Sequence, residues 1–500
     1  MGNSGSGPRP TYAAPMDALA TTISDINGRY WYLVIVLLVI AGVWFTLRTG
    51  VVQLRLLPEM VRNILEKPGS DSDDGISAFR AFTVSAASRV GTGNVAGVAV
   101  AIAVGGPGAV FWMWVLAIIG GATAFVESTL AQLYKVKGGD GYVGGPAYYI
   151  RDGLGWKPVA VLFAVIITFT YGFVFNAVQS NSISYSLQDT LSGVENIALI
   201  TGLVLAGLTG VVIFGGVKRV SAVTEVIVPV MATLYILVAL VVVALNITEV
   251  PAMFAHIVGH ALGFKEVAGA GIGAALMQGM RRGLFSNEAG MGSVPNAAAT
   301  ASVSHPAKQG LVQALGVYFD TIIVCSATAF VILLSNPQFG VDDPQGIGLT
   351  QSALQEQVGS WAGPFLSVVI FFLAWSSILG NSYYGEANIR FLAGKRNAQL
   401  AIIVFRVLVV LCVVGGALGS VALVWNLADL VMGFMATINL IAILPLGGLA
   451  IAMLKNYDDQ RKQGEEPVFR RSELPQARNV SLWGDGMGMP EVRSAAGEKR

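Results

Sequence analysis

Long apolar stretches separated by short polar runs dominate the chain. Read with a window of about 19 residues, they fall near residues 31–47, 77–104, 107–134, 157–190, 196–214, 218–246, 266–302, 306–335, 361–392, 398–417 and 421–453. Each is long enough to cross a hydrocarbon layer of roughly 30 Å as a helix. The pattern predicts an all-α, polytopic membrane protein with about 11 transmembrane helices. Residues 51–66 set Leu54, Leu57, Val61, Ile64 and Leu65 on one side and Arg55, Glu59 and Arg62 on another, as a helix lying in the membrane interface would. Beyond the first span, ten remain, and two sets of five must have opposite orientations because five is odd. The expected organisation is an N-terminal exterior segment at 1–30, a membrane domain at 31–455 with inverted repeats at about 77–246 and 266–453, and a disordered tail at 456–500.

Composition points the same way. Only 12% of residues are Asp, Glu, Lys or Arg, against roughly 25% in soluble proteins. The 60 glycines suit helices that pack backbone to backbone in lipid. A net charge of +1 speaks against a nucleic-acid partner, which needs a basic surface. Cys325 and Cys412 both sit in apolar stretches, where a thiol behaves as a small hydrophobe, so no disulfide or metal site is expected. The Gly/Ser/Pro-rich opening lacks the basic start of a secretory signal, and the first apolar run is expected to stay in the membrane.

Basic residues set the orientation. Arg48, Arg55, Arg62, Lys67 and Arg80 precede the second span, and Lys135, Lys137, Arg151 and Lys157 follow the third. Lys218, Arg219, Lys308, Arg390, Lys395 and Arg396 continue on that side, against Lys265 in the opposite loops. The positive-inside bias places the N-terminus outside and the C-terminus in the cytoplasm of a plasma (inner) membrane protein.

Two spans are interrupted at matching places, the first of each set of five. One reads Ser88-Arg89-Val90-Gly91-Thr92-Gly93-Asn94, the other Ser286-Asn287-Glu288-Ala289-Gly290-Met291-Gly292-Ser293. A broken helix in hydrocarbon strands backbone groups that need a partner. Carbonyls ending the first half near Ala87 to Val90 would carry partial negative charge, and N–H groups beginning the second half near Asn94 partial positive charge. One break thus offers a cation site beside a carboxylate site. Matching broken spans in two halves are the sequence mark of a transporter's binding site. Gly91, Gly93 and Gly97 do not make a dinucleotide loop, since the third glycine is one place late and no βαβ unit surrounds it.

Charged residues at depth are costly and normally face a cavity or each other. They include Arg89, Glu127, Glu288 and Asp320. For Glu127 and Glu288, holding the broken backbone or Arg89 is favoured over touching the solute. In the ninth span, Ser376 and Ser377 place hydroxyls in an apolar run, either as ligands for a hard cation or bonded back to their own helix. Asn176, Gln179 and Asn181 lie on the fourth span beside Phe175. His256 and His260 are four apart but lack a third ligand, which argues against zinc.

The runs at 88–97, at 144–149 (Gly-Gly-Pro-Ala-Tyr-Tyr) and at 282–293 strongly resemble the alanine or glycine:cation symporter family, over about residues 30–455. That resemblance implies a leucine-transporter-like five-plus-five inverted repeat with one extra N-terminal helix. It also implies sodium-coupled uptake of a small neutral amino acid, alanine or glycine, by alternating access. Carried over, it puts the substrate carboxylate on the N–H groups around Thr92, Gly93 and Asn94, and the ammonium at Phe285, Ser286 and Asn287. Gln179, Phe175 and Trp375 would shape the pocket. Sodium would meet the carbonyls of Ala87 and Val90 and the hydroxyls of Ser376 and Ser377. No cofactor is implied beyond the co-transported sodium. Arg89 departs from the leucine-transporter pattern and puts a second sodium site in doubt. Proton coupling through Glu127 or Glu288 stays open, as does a channel. A membrane enzyme is disfavoured by the absence of paired catalytic residues.

Overall fold

A computed structural model describes residues 13–65, 75–138, 141–191, 193–264, 271–335, 337, 339 and 346–483. Among them, eight helices are long and apolar enough to cross a membrane, or nine if the pair Ala78–Arg89 and Gly93–Gly105, bent by 48°, is one span. The helix Ile197–Ile213 is one residue short of that length test, and the polar segment at 272–301 is broken. Counting these two as well gives the eleven expected from the sequence.

In chain order, span 1 is Leu19–Arg48, span 2 the bent pair, span 3 Gly108–Leu133 and span 4 Lys157–Thr190. Span 5 is Ile197–Ile213 and span 6 Gly216–Leu245. Span 7 runs through the helix Ile272–Asn287, an unwound stretch and the short helix Pro295–Ala298. Spans 8 to 11 are Pro306–Leu333, Ala362–Gly394, Ala398–Ala417 and Val421–Lys462. The outer faces are apolar: Val211 is 69% and Leu411 61% exposed, a surface that lipid rather than water must cover.

The bundle draws the two broken spans together. The chain entering span 2 bonds to the chain leaving span 7, with the Ile76 N–H on the Thr300 carbonyl (3.2 Å) and the Ser302 N–H on the Ile76 carbonyl (3.0 Å). Three helices that line the same region carry wide π-type turns, at Gly93–Gly97, Thr170–Val174 and Tyr318–Cys325. Such turns shift the helix register and recur at functional sites.

At both ends the structure differs from the sequence expectation. Residues 13–30 continue into span 1 as one helix, which runs from Ala13 to Arg48. Its N-terminal part is alanine-rich, which favours helix. Polar bonds tie it to span 11: Asn27 Nδ2 donates to the Asn426 carbonyl (2.8 Å) and Trp31 Nε1 to that of Asp429 (3.2 Å). Residues 1–12 lie outside the described residues.

The tail is not disordered through residue 483. Span 11 extends to Lys462, and the following chain packs across the bundle end, burying Phe469, Leu474, Ala477 and Trp483. The Phe469 N–H donates to the Ser304 carbonyl (2.9 Å), and Trp483 Nε1 to that of Gln132 (2.9 Å). These four apolar anchors are spread through a Gly, Pro and charge-rich stretch, and average composition hides them. Residues 484–500 lie outside the described residues.

The amphipathic segment after span 1 forms the helices Val52–Arg55 and Leu57–Leu65. Leu54, Leu57, Val61 and Leu65 face outward. On the other side Arg55 pairs with Asp458 (2.7 Å) and Glu59 with Arg461 (2.9 Å).

Candidate functional site

The helix Ala78–Arg89 ends where Val90 leaves helical geometry (φ −83°, ψ 89°). Across from this break, the Ser377 hydroxyl of span 9 donates to the Ala87 carbonyl at 2.7 Å. Ser376 turns back and donates to the Leu373 carbonyl of its own helix (2.7 Å). Neighbours on a helix point about 100° apart, so the structure brings Ser377 to the break and leaves Ser376 behind it. The N–H groups beyond the break meet side chains: Gln179 Oε1 accepts from Thr92 (3.0 Å) and Asn94 Oδ1 from Gly91 (2.9 Å).

Span 7 unwinds at Glu288, a non-glycine residue at φ 58°, followed by Gly290 at 86° and Gly292 at 83°. Left-handed backbone at Glu288 is unfavourable by about 1 kcal/mol or more and persists only when the surroundings enforce it. The enforcement comes from Glu127 on span 3. Its carboxylate accepts from the N–H groups of Gly290 (3.0 Å) and Gly292 (3.2 Å) and from Asn439 Nδ2 (2.7 Å). Glu288 ties the two breaks together, with Oε1 2.8 Å from the Ser88 hydroxyl and Oε2 accepting from Ser293 (2.7 Å).

Arg89 is fully buried, with Nη1 at 3.4 Å from the Gln313 carbonyl. It lies within electrostatic range of Glu127, Glu288 and Asp320.

In the sequence Asp320 stands out only as a charge at depth, yet in the fold it joins both breaks. Its Oδ1 accepts from Asn94 Nδ2 (2.7 Å), its Oδ2 from the Ser286 hydroxyl (2.7 Å) and from Thr321 (2.9 Å). The signal that could have found it is an unpaired acid beside Thr321 in an otherwise apolar run. Thr92 Oγ1, Asn287 Nδ2 and Asn381 Nδ2 are buried around the breaks with no partner among the described residues. Such unsatisfied groups call for an explanation, and a polar ligand is one.

The aromatic wall differs from expectation at one place. Phe175 and Phe285 pack with tilted rings, centroids 4.8 Å apart, and a Cβ on Gly93 would approach Phe285 Cδ1 at 2.9 Å. Trp375 is not part of this wall. Its Nε1 donates to Thr209 of span 5 (3.2 Å), because residues 375 and 377 point about 200° apart on one helix. Trp425 takes the place instead, 5.0 Å from Phe285 and 4.8 Å beneath the Arg282 guanidinium. Arg282 in turn pairs with buried Asp429. Above this floor opens a cavity of about 580 Å³, lined among others by Ser24, Tyr185, Gln278 and Ser420.

The model of the sodium:alanine symporter family matches residues 16–471. The chain belongs to the sodium:alanine symporter family. Within it, the chain is 52% identical to "Amino-acid carrier protein AlsT" of Bacillus subtilis (strain 168), over 94% of this chain and 98% of the relative. It is 50% identical to "Probable sodium/glutamine symporter GlnT" of the same organism, over 91% and 94%. A crystal structure of MhsT in complex with L-phenylalanine superposes with a TM-score of 0.54 at 16% identity, covering 83% of this chain and 95% of that one. This family member thus has the five-plus-five inverted-repeat fold with one helix added at its N-terminus. It is a multi-pass membrane transporter and not an enzyme.

Proposed function

We propose that the protein carries a small neutral amino acid, alanine or glycine, into the cell together with sodium by alternating access. The observation that carries this reading is the meeting of the two breaks. At one, the Ala87 carbonyl and the Ser377 hydroxyl form an oxygen-rich corner. At the other, Ser286 and Asn94 converge on Asp320. Sodium takes the first corner, with the Val90 carbonyl and with Ser376 only after a rotamer change. The substrate carboxylate takes the N–H groups at Thr92 to Asn94, displacing the Gln179 oxygen that occupies Thr92. The ammonium meets the backbone at Phe285 to Asn287. Phe175, Phe285 and Trp425 close over a short side chain, which favours alanine or glycine over the glutamine named for one relative.

Alternating access requires the site to open to one side at a time. The chain is placed in the plasma (inner) membrane with its N-terminus outside and its C-terminus cytoplasmic. In that orientation the 580 Å³ cavity is an outer vestibule, shut off from the site by Trp425 and the Arg282–Asp429 pair. Partners are the amino acid, sodium and the lipid bilayer, with no nucleic acid. Uptake of labelled alanine, glycine and glutamine into proteoliposomes, with and without an imposed sodium gradient, tests the proposal. Alanine or glycine accumulation that requires the gradient is expected; uptake indifferent to sodium but following pH would overturn the coupling.

A further inference from the structure

A second polar cavity lies far from the transport site, at the end of the bundle that carries the basic loops. It measures about 290 Å³ and is lined by Phe214, Gly216, Lys218, Arg390, Gln399 and Arg406, among others. Its walls are the first turn of span 6 and both legs of the hairpin formed by spans 9 and 10, which turns at Gly394 (φ 64°). Arg406 is 9% exposed and held by Glu386 Oε2 through Nε (2.9 Å) and Nη2 (2.7 Å), and by the Phe214 carbonyl (3.3 Å). Arg390 Nη2 donates to the other Glu386 oxygen at 2.8 Å. Lys218 makes no ion pair among the described residues.

Three cations thus line a cavity with Glu386 as the carboxylate that fixes two of them. The helix Gly216–Leu245 also directs its N-terminus there, and the partial positive charge of 30 aligned residues adds to the field. Apolar Phe214, Val217 and Ile402 also line the cavity, and Phe214, 47% exposed, faces outward. A soluble anion would find that apolar lining unfavourable, whereas a lipid would lay its acyl chains along it. Basic pockets between membrane helices on the cytoplasmic side suit anionic headgroups.

We propose that this cavity seats the phosphodiester of an anionic membrane phospholipid, with Lys218 and Arg390 contacting the phosphate and Arg406 held behind them by Glu386. The bound headgroup braces the hairpin against span 6. Glu386 lies nine residues along span 9 from Ser377, about 13 Å at the rise of a helix. The lipid therefore steadies the helix that supplies the hydroxyl at the Ala87 carbonyl.

The test is native mass spectrometry of the full-length protein in micelles doped with phosphatidylglycerol or phosphatidylcholine. Wild type should retain phosphatidylglycerol preferentially. Lys218→Gln, which breaks no ion pair among the described residues, should cut that preference about five-fold, and adding Arg390→Gln should cut it again by a similar factor. Arg48→Gln removes an exposed cation stacked on Trp44 at 5.4 Å, outside the cavity, and should leave the preference intact. Unchanged retention in Lys218→Gln would overturn the proposal, as would an equal loss in Arg48→Gln, which would mean bulk surface charge. Binding of inorganic phosphate without any lipid preference would overturn the lipid assignment.

Discussion

The Ser377 hydroxyl donates to the Ala87 carbonyl across the break in span 2, at 2.7 Å, while Ser376 one residue earlier bonds to its own helix. If the corner at Ala87 holds sodium, the two serines must differ. Ser377→Ala is expected to raise the sodium concentration for half-maximal uptake roughly five-fold, the worth of one hydroxyl interaction. Ser376→Ala should stay within about two-fold, since its bond to Leu373 is local. The check is sodium titration of alanine uptake at saturating alanine; equal shifts in both variants would move the ion elsewhere.

Gly93 faces the aromatic wall across a gap that no side chain fits, since a methyl carbon added there would lie 2.9 Å from Phe285 Cδ1. Gly93→Ala is expected to lower uptake several-fold, and Gly93→Val, branched at the same carbon, to abolish it. Both proteins should reach the membrane in normal amounts. Immunoblots of membrane fractions beside uptake assays separate a blocked site from a misfolded chain.

Trp375 and Trp425 give a paired test of the pocket. Trp425→Ala removes the ring that bridges Phe285 and Arg282, and half-saturating alanine should rise about ten-fold. Trp375→Phe loses its bond to Thr209 and should cost about 1 kcal/mol of stability with alanine affinity unchanged. Thermal unfolding and alanine titration of each variant distinguish the two effects.

Lys135 lies just past span 3 under the tail, and burial pushes its pKa down to about 7. Its ammonium donates to the Ala301 carbonyl (2.9 Å) and lies 5.0 Å from the Trp483 ring centroid. With the tail detached the amine returns toward the ordinary lysine value of about 10.4. Between those values the detached form holds a proton that the docked form lacks, so docking strengthens as pH rises from about 7 and gains nothing below it. Tryptic cleavage at Arg471 and Arg478, normalised to a soluble peptide at each pH, should slow from pH 7 to pH 9. In Lys135→Met the normalised rate should not change with pH.

The two breaks are legible in the sequence because glycine and polar residues in an apolar run violate the pattern of a membrane helix wherever they occur. Glu127 and Glu288 are legible as charges that must find partners. What each faces depends on helix rotation, and a span apolar all round, such as the one carrying Trp375 and Ser377, leaves no stripe from which to read it. The roles of Asp320 and Trp425 escape the sequence for the same reason, since they lie in contacts between spans far apart in the chain. The tail misleads because a few anchors decide its docking and composition averages over them.

The tail also sets a clock on biosynthesis. Trp483 closes on the Gln132 carbonyl, 351 residues earlier in the chain. At about 5–20 residues per second, the ribosome needs roughly 20–70 s between making the one and the other. Throughout that interval Lys135 and the end of span 3 wait without their cover. A protein cut short before Trp483 would keep every span yet never seal that face, leaving an apolar seam for proteases and chaperones to find.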